Sequence, residues 1–438
     1  MTVTAIRADV LHCLRDPGLG GADAGAIEHL RDAVLLVRGG RIEQLAPAAA
    51  LLPALGPEVA IHDWRGRLVV PGFVDTHVHY PQVDVIARYG AQLLEWLEKY
   101  TFPAEQRFAD AAHAEATAAF FLDRLLENGT TTASVFCTVH PASVDAFFAE
   151  ARRRGLLMVA GKCLMDRHAP DGLRDTAESS YAESRALIER WHGLDRLRYA
   201  ITPRFAATSS EAQLALAGRL AAEHPGVHLQ SHVSENRGEI EWVARLFPQA
   251  RSYLDVYDRF GLLRERAVYA HCIWLDDADR ARLTASGTAA SFCPTSNLFI
   301  GSGLYDLAQA LAAGNRVGVG TDVGGGTGYS MLRTLGEGYK VQQLQGTSVH
   351  PACSLYLATL GGARSLYLDD RIGSLLPGRD ADLAVLDPAA TPLLARRTGS
   401  GEDPLDTFFA LTALGDDRAV AATYAAGRLV HRRDPDPT

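Results

Sequence analysis

The chain has 438 residues, 47% of them hydrophobic and 22% charged, so it can bury a large core at an ordinary charged fraction. Its formal net charge of -9 argues against a nucleic-acid polymer or an anionic membrane as main partner, since both draw basic surfaces. The six cysteines, Cys13, Cys137, Cys163, Cys272, Cys293 and Cys353, are scattered without a CxxC pair and read as buried thiols of a reducing compartment.

The first residues, "MTVTAIRADV", show no basic stretch ahead of an apolar segment of the secretory kind. The longest apolar runs, "AVLLV" and "LLMVAG", fall far short of a membrane span, and the expected location is the cytoplasm. Residues 1–66 hold "DAVLLVRGGRIEQLAP", two β-type runs around a Gly-Gly turn. From 67 to 372, β-rich runs ending near "LVVPGFVDTHVH", "TTTASVF", "LLMVAGKCLM", "RYAITPRF", "VHLQSHVSE", "AVYAHC", "TAASFC" and "RVGVGTD" alternate with helical patterns. In "FADAAHAEATAAFFLDRLLENG", "PASVDAFFAEARRRG" and "SSEAQLALAGRLAAEHPG", apolar residues recur at three- and four-residue spacing and Gly closes the pattern. Eight strands separated by helical material predict an α/β fold, a TIM-like (β/α)8 barrel. A doubly wound open sheet is the competing architecture. Residues 373–438 return to short strands in "GSLLPGRDADLAVLD" and "VAATYAAGRLVHRR", so the two ends are expected to pair into one small β-sandwich domain.

His77 and His79 share one face of their strand, because residues i and i+2 of a strand point the same way. They stand at its C-terminal end, where barrel enzymes hold their chemistry. HxH alone is a weak signal, since two histidines can simply be hydrogen-bonded in a polar barrel mouth. Three further positions change the balance: His232, His271 and Asp322 all end predicted strands, and a closed barrel would bring them to one mouth. Imidazoles with one carboxylate suit Zn2+, or Fe2+, with a position left open for water. Glu235, three residues past His232, reads both as a first-turn helix residue and as a general acid/base above the metal. The Gly324-Gly325-Gly326 run lacks the Lys of a phosphate loop and reads as a tight turn passing close to the metal.

"PGFVDTHVH", "HVSE", the His after the sixth strand and "GTD" after the eighth resemble the amidohydrolase superfamily. "THVHYPQ", "LLEWLEKYTFPAEQRF", "TPRFAATS", "HVSENRGEI", "SFCPTSNLFIGSG" and "GTDVGGGTGYSML" are similar to its guanine deaminase branch, from about residue 30 to the end. The resemblance implies hydrolysis of guanine to xanthine and ammonia by a homodimer, with one zinc ion per chain. It implies His77, His79, His232 and Asp322 as ligands, with His271 beside the attacking water and Asp322 taking its proton. Glu235 matches the branch's proton-shuttling glutamate, and Gln82, Arg204 and Phe205 match its substrate-binding positions, which His232 and Glu235 join. Gly328 stands where the branch has Ser, a departure that bears on loop packing.

Recognition then has a physical form. Arg204, a donor only, suits O6 of guanine and would face another donor in adenine. Gln82 can both donate and accept along a ring edge. Phe205 and Trp96 are candidates to cover the purine faces, although "LLEWLEKY" also reads as an ordinary amphipathic helix with Trp96 in its core. Another aminohydrolase, acting on a pterin, a triazine or a related purine, would keep every metal residue and differ at Gln82, Arg204 and Phe205. A catalytically dead scaffold would have lost ligands that this chain retains.

Overall fold

The computed structural model describes residues 3–90, 92–399 and 403–433. The chain begins with four strands, β1 (Val3–Cys13), β2 (Ile27–Arg38), β3 (Arg41–Pro47) and β4 (Ala60–Pro71). Eight main strands follow in parallel: β5 (Phe73–His79), β6 (Thr130–Phe136), β7 (Leu157–Gly161), then, after the two-residue β8 (Cys163–Leu164), β9 (Arg198–Pro203), β10 (His228–Val233), β11 (Ala267–His271), β12 (Ala289–Phe292) and β13 (Arg316–Val319). The chain ends with β14 (Leu383–Leu386), β15 (Val420–Ala425) and β16 (Arg428–Arg432).

Strands from both ends form one seven-stranded mixed sheet, in the order β16-β15-β14-β4-β1-β2-β3. Ile6, Val10, Leu35, Val69, Leu383 and Tyr424 pack together on it. The run 68–79 is divided at Gly72: Pro71 pairs with Leu383 in this sheet, while Phe73 opens the barrel. The divide needs a glycine, because a Cβ at Gly72 would lie 2.1 Å from Thr131 Oγ1.

The barrel strands run in the order β13-β12-β11-β10-β9-β7-β6-β5. The ring closes beyond the ends of the last ladder: Asp322 N donates to His77 O at 2.9 Å, and His79 N to Val323 O at 2.8 Å. Asp75 stitches the same seam. Its Oδ1 accepts from His77 N at 3.2 Å and Thr321 N at 3.1 Å, and its Oδ2 from the Thr321 hydroxyl. Every residue of β5, β6, β7 and β11 is buried, as expected for parallel strands covered on both faces.

The outer helices follow the sequence patterns. Ala111–Glu127 starts at Asp110, whose side chain accepts from Ala112 N, and Pro141–Arg154 ends at Gly155 with φ +68°. All six cysteines are free and buried. Among the described residues no helix is long and apolar enough to cross a membrane.

Candidate active site

The barrel's C-terminal mouth collects the residues that the strand ends carry. His77 and His79 end β5, His232 stands in β10, His271 ends β11, and Asp322 lies three residues past β13. His271 and Asp322 take left-handed backbone angles, φ +71° and +50°. Non-glycine residues seldom adopt these, at a cost of order 1 kcal/mol each, and here they turn side chains inward at a strand end.

His77, His79, His232 and Asp322 are buried, and one ligand atom from each lies within 4.8 Å of all the others. His79 Nε2 is 3.2 Å from His77 Nε2 and 3.1 Å from His232 Nε2. Asp322 Oδ1 is 3.1 Å from His77 Nε2 and 3.4 Å from His79 Nε2. Zinc–nitrogen bonds of about 2.0–2.1 Å set tetrahedral ligand atoms roughly 3.3 Å apart, so these spacings fit a single ion. His232 Nδ1 faces the carbonyl oxygen of Arg204 at 2.7 Å and must carry the proton. In the neutral ring its Nε2 is therefore bare and turned towards His79 Nε2, which presents a lone pair where a cation could sit. Burial holds the proton affinities of His77, His79 and His232 below that of free histidine, which favours the neutral ring that a metal binds. The donor set is nitrogen and carboxylate oxygen without a thiol.

His271 is oriented from behind. Its Nδ1 lies 2.9 Å from Asn297 Oδ1, and its Nε2 points to Glu235 Oε2 at 3.3 Å and to Asp322 Oδ2 at 3.8 Å. Burial disfavours its charged form, but Glu235 and Asp322 outweigh that and raise its pKa. Burial likewise disfavours the charged form of Asp322, yet the histidines around it bring its pKa down to about 2. Glu235 behaves in the opposite way. Burial raises it to about 7, with Glu239 and Asp322 adding repulsion, against the counter-effects of His271 and of the Ser302 hydroxyl, which donates to Oε1 at 3.0 Å.

Glu235 is not a first-turn residue. It precedes Asn236, the N-cap of the helix Arg237–Leu246, and the glutamate in that first turn is Glu239. Glu239 Oε2 accepts from Glu235 N at 3.1 Å and its Oε1 from Tyr253 OH at 2.7 Å, so it anchors the backbone that presents Glu235.

One cavity adjoins the cluster. Of the site residues read from the sequence, all but His77 line it, and Leu93, Leu97, Glu239, Ile300 and Gly325 complete the wall. Gln82 and Arg204 are buried, at 3% and 2% exposure, neither a solvated loop residue nor a surface ion pair. Arg204 does not face the cavity with a free fork. Its Nη1 donates to both oxygens of Glu105, at 2.8 and 2.7 Å, and Gln82 Nε2 donates to Glu105 Oε1 at 3.0 Å. Phe205 packs against Trp242, ring centroids 6.0 Å apart. Trp96 is buried, its Nε1 has no hydrogen-bond partner among the described residues, and it belongs both to the wall and to the helix. That helix continues through a π-helical turn, Leu97–Thr101, into Phe102–Gln106, an irregularity often found at functional sites.

The glycine run passes close to the cluster, as its composition suggests. A Cβ at Gly326 would sit 1.8 Å from Thr321 O, and one at Gly325 would sit 3.5 Å from Asp322 Oδ2. At Gly328 a Cβ would meet nothing within 4 Å, so the loop would accept serine there without repacking.

Glu105, Glu239, Asn297 and Ser302 were not singled out in the sequence. A signal for Glu105 exists: Leu93, Leu97, Thr101 and Glu105 recur every four residues and all are buried, which puts a carboxylate on the apolar face of a helix. Asn297 and Ser302 carry no comparable pattern.

The amidohydrolase family model matches residues 68–430. The chain is 48% identical over 433 residues to the guanine deaminase of Escherichia coli (strain K12), covering 99% of both chains. The E. coli guanine deaminase structure superposes with a TM-score of 0.97, over 98% of this chain and 100% of that one. The structure of guanine deaminase from C. acetobutylicum with bound guanine in the active site matches at 25% identity and a TM-score of 0.89, over 98% of this chain and 100% of that one.

Proposed function

The chain belongs to the amidohydrolase family, and from that premise we propose that it is a guanine deaminase, replacing the C2 amino group of guanine by oxygen to give xanthine and ammonia. The observation that carries this reading is one cavity and the cluster it adjoins: three histidines and one carboxylate, with a buried glutamic acid and a polar pair beside an aromatic ring in the cavity wall.

His77, His79, His232 and Asp322 would hold a single divalent ion, for which we propose zinc on the nitrogen-rich, thiol-free donor set. When bound, such an ion supplies an acidified water, its pKa brought from about 15.7 towards 7. Asp322 accepts the proton of the attacking water, and His271, aimed by Asn297, orients it. Glu235, with a pKa near neutrality set by burial, enters as the acid and gives its proton to N3 while the C2–O bond forms. As a carboxylate it then takes the proton of the new C2 hydroxyl and passes it to the departing nitrogen as the C2–N bond breaks, and the proton held by Asp322 returns to Glu235 to reset the pair. Gln82 and Arg204 bind the polar edge of the base, and Phe205 and Trp96 cover its faces. The same reading takes the working protein to be a homodimer in the cytoplasm.

The test is ammonia release by the purified, metal-analysed protein with guanine, alongside adenine, cytosine and a pterin. Turnover of guanine alone is expected. Metal present with turnover only of the pterin would move the substrate to another aminohydrolase class.

A further inference from the structure

The polar end of the cavity is built around a complete ion pair. Arg204 and Glu105 are 2% and 0% exposed, and the guanidinium donates to both carboxylate oxygens. The Arg204 guanidinium also lies over the Phe102 ring, 5.5 Å from its centroid, so two residues of one short helix grip it.

This arrangement has two physical results. The charge of Arg204 is cancelled at contact distance, so the pair offers donors without a net positive field. The carboxylate is acceptor-only, which obliges Gln82 to turn its NH2 towards Glu105. Its Oε1 then receives Gly324 N at 3.2 Å, and the amide cannot flip without breaking both bonds.

We propose that Glu105 is a positioning and specificity-determining residue. By pairing with Arg204 and fixing the Gln82 amide, it makes the cavity select an uncharged hydrogen-bonding heterocycle and reject an anionic one of the same shape. An anion placed against Arg204 would meet the Glu105 carboxylate immediately behind it. Without Glu105, a buried unpaired guanidinium would seek such an anion. The inference rests on the guanine reading of the site and adds the basis on which charged relatives are refused.

The experiment compares wild type with Glu105→Gln and Glu105→Asp. It measures kcat and KM for guanine, and inhibition by urate, an anion near neutral pH, against hypoxanthine, a neutral one. For Glu105→Gln, KM should rise about tenfold or more, the scale of a lost charge-assisted hydrogen bond, with a smaller fall in kcat. Urate should inhibit this variant about tenfold better than wild type, and hypoxanthine no better. Glu105→Asp keeps the charge but draws back from Gln82, so guanine KM should rise while discrimination against urate stays. This second variant decides the matter if Glu105→Gln does not fold. Wild-type KM and an unchanged urate-to-hypoxanthine ratio in a folded Glu105→Gln, or wild-type KM in Glu105→Asp, would overturn the proposal. Failure of the wild type to deaminate guanine would instead overturn the functional reading beneath it.

Discussion

His232 Nδ1 and the carbonyl oxygen of Arg204 are 2.7 Å apart, so one residue serves two parts of the site. The backbone of Arg204 sets the tautomer of a histidine in the candidate metal cluster, while its side chain lines the cavity. The two roles separate on substitution. Arg204→Met should keep metal content near that of wild type and raise guanine KM about tenfold or more. It should also lower thermal stability, since Glu105 is left buried and unpaired, an effect of about 3–5 kcal/mol. Metal analysis beside steady-state kinetics checks this, and loss of metal would contradict the division.

Glu235→Gln keeps the shape and the Ser302 contact but removes the transferable proton. We expect kcat for guanine to fall by roughly 10²–10⁴, the usual worth of a positioned acid/base, with metal retained. A variant within threefold of wild type would take Glu235 out of the proton path.

Asn297→Ala removes the group that holds His271 Nδ1 without touching the four clustered ligands. Outer-shell partners of this type are worth about 10–100-fold. The loss should fall on kcat, and guanine affinity should change little. An unaltered kcat would mean that His271 is held well enough by Glu235 and Asp322.

Gly326→Ala drives a Cβ to 1.8 Å from Thr321 O. The backbone must shift, and with it Asp322, whose carbonyl oxygen accepts from Gly326 N at 2.5 Å. A stability loss of about 1–3 kcal/mol is expected, together with weaker metal retention. Gly328→Ser, in open space, should change neither, and thermal melts of the pair make the comparison.

His228 gives the protein an acid sensitivity of its own. Burial lowers its pKa to about 3, against the opposing effect of its bond to the Leu366 carbonyl oxygen at 2.8 Å. Above the ordinary histidine pKa the ring is neutral folded and unfolded, and contributes nothing to pH dependence. Below it the unfolded chain takes up a proton that the folded one refuses, so stability falls from about pH 6.5 towards pH 3. His228→Gln should flatten the slope of unfolding free energy by up to about 1.4 kcal/mol per pH unit in that window. Urea unfolding of both proteins at several pH values measures it, and parallel curves would refute it.

The strand ends were legible because a fully buried parallel strand is a run of apolar residues, and because His77, His79, His232, His271 and Asp322 each close such a run. The division at Gly72 was not, since the strands on either side are equally apolar and only their partners, Leu383 and the barrel, distinguish them. Arg204 was visible, but its engagement with Glu105 was not. The two are 99 positions apart, and no local pattern reports a contact made by the return of a distant helix. Asn297 and Ser302 escaped for the same reason, as short polar residues in loops and helix starts that look alike until folded.

The seam that closes the barrel also sets a timetable for the nascent chain. Asp75 and Thr321 are 246 positions apart, and the proposed ligands beside them, His77 and Asp322, come from opposite ends of the barrel. A ribosome that has made the first histidines has most of the barrel still to make before the carboxylate emerges. Contacts of such long sequence separation form late and slowly. A half-made chain therefore offers at most an incomplete donor set, and ion capture falls to the finished barrel. Metal added after refolding of the full chain should therefore restore as much activity as metal present throughout, while supply to fragments ending before residue 322 should yield no tight site.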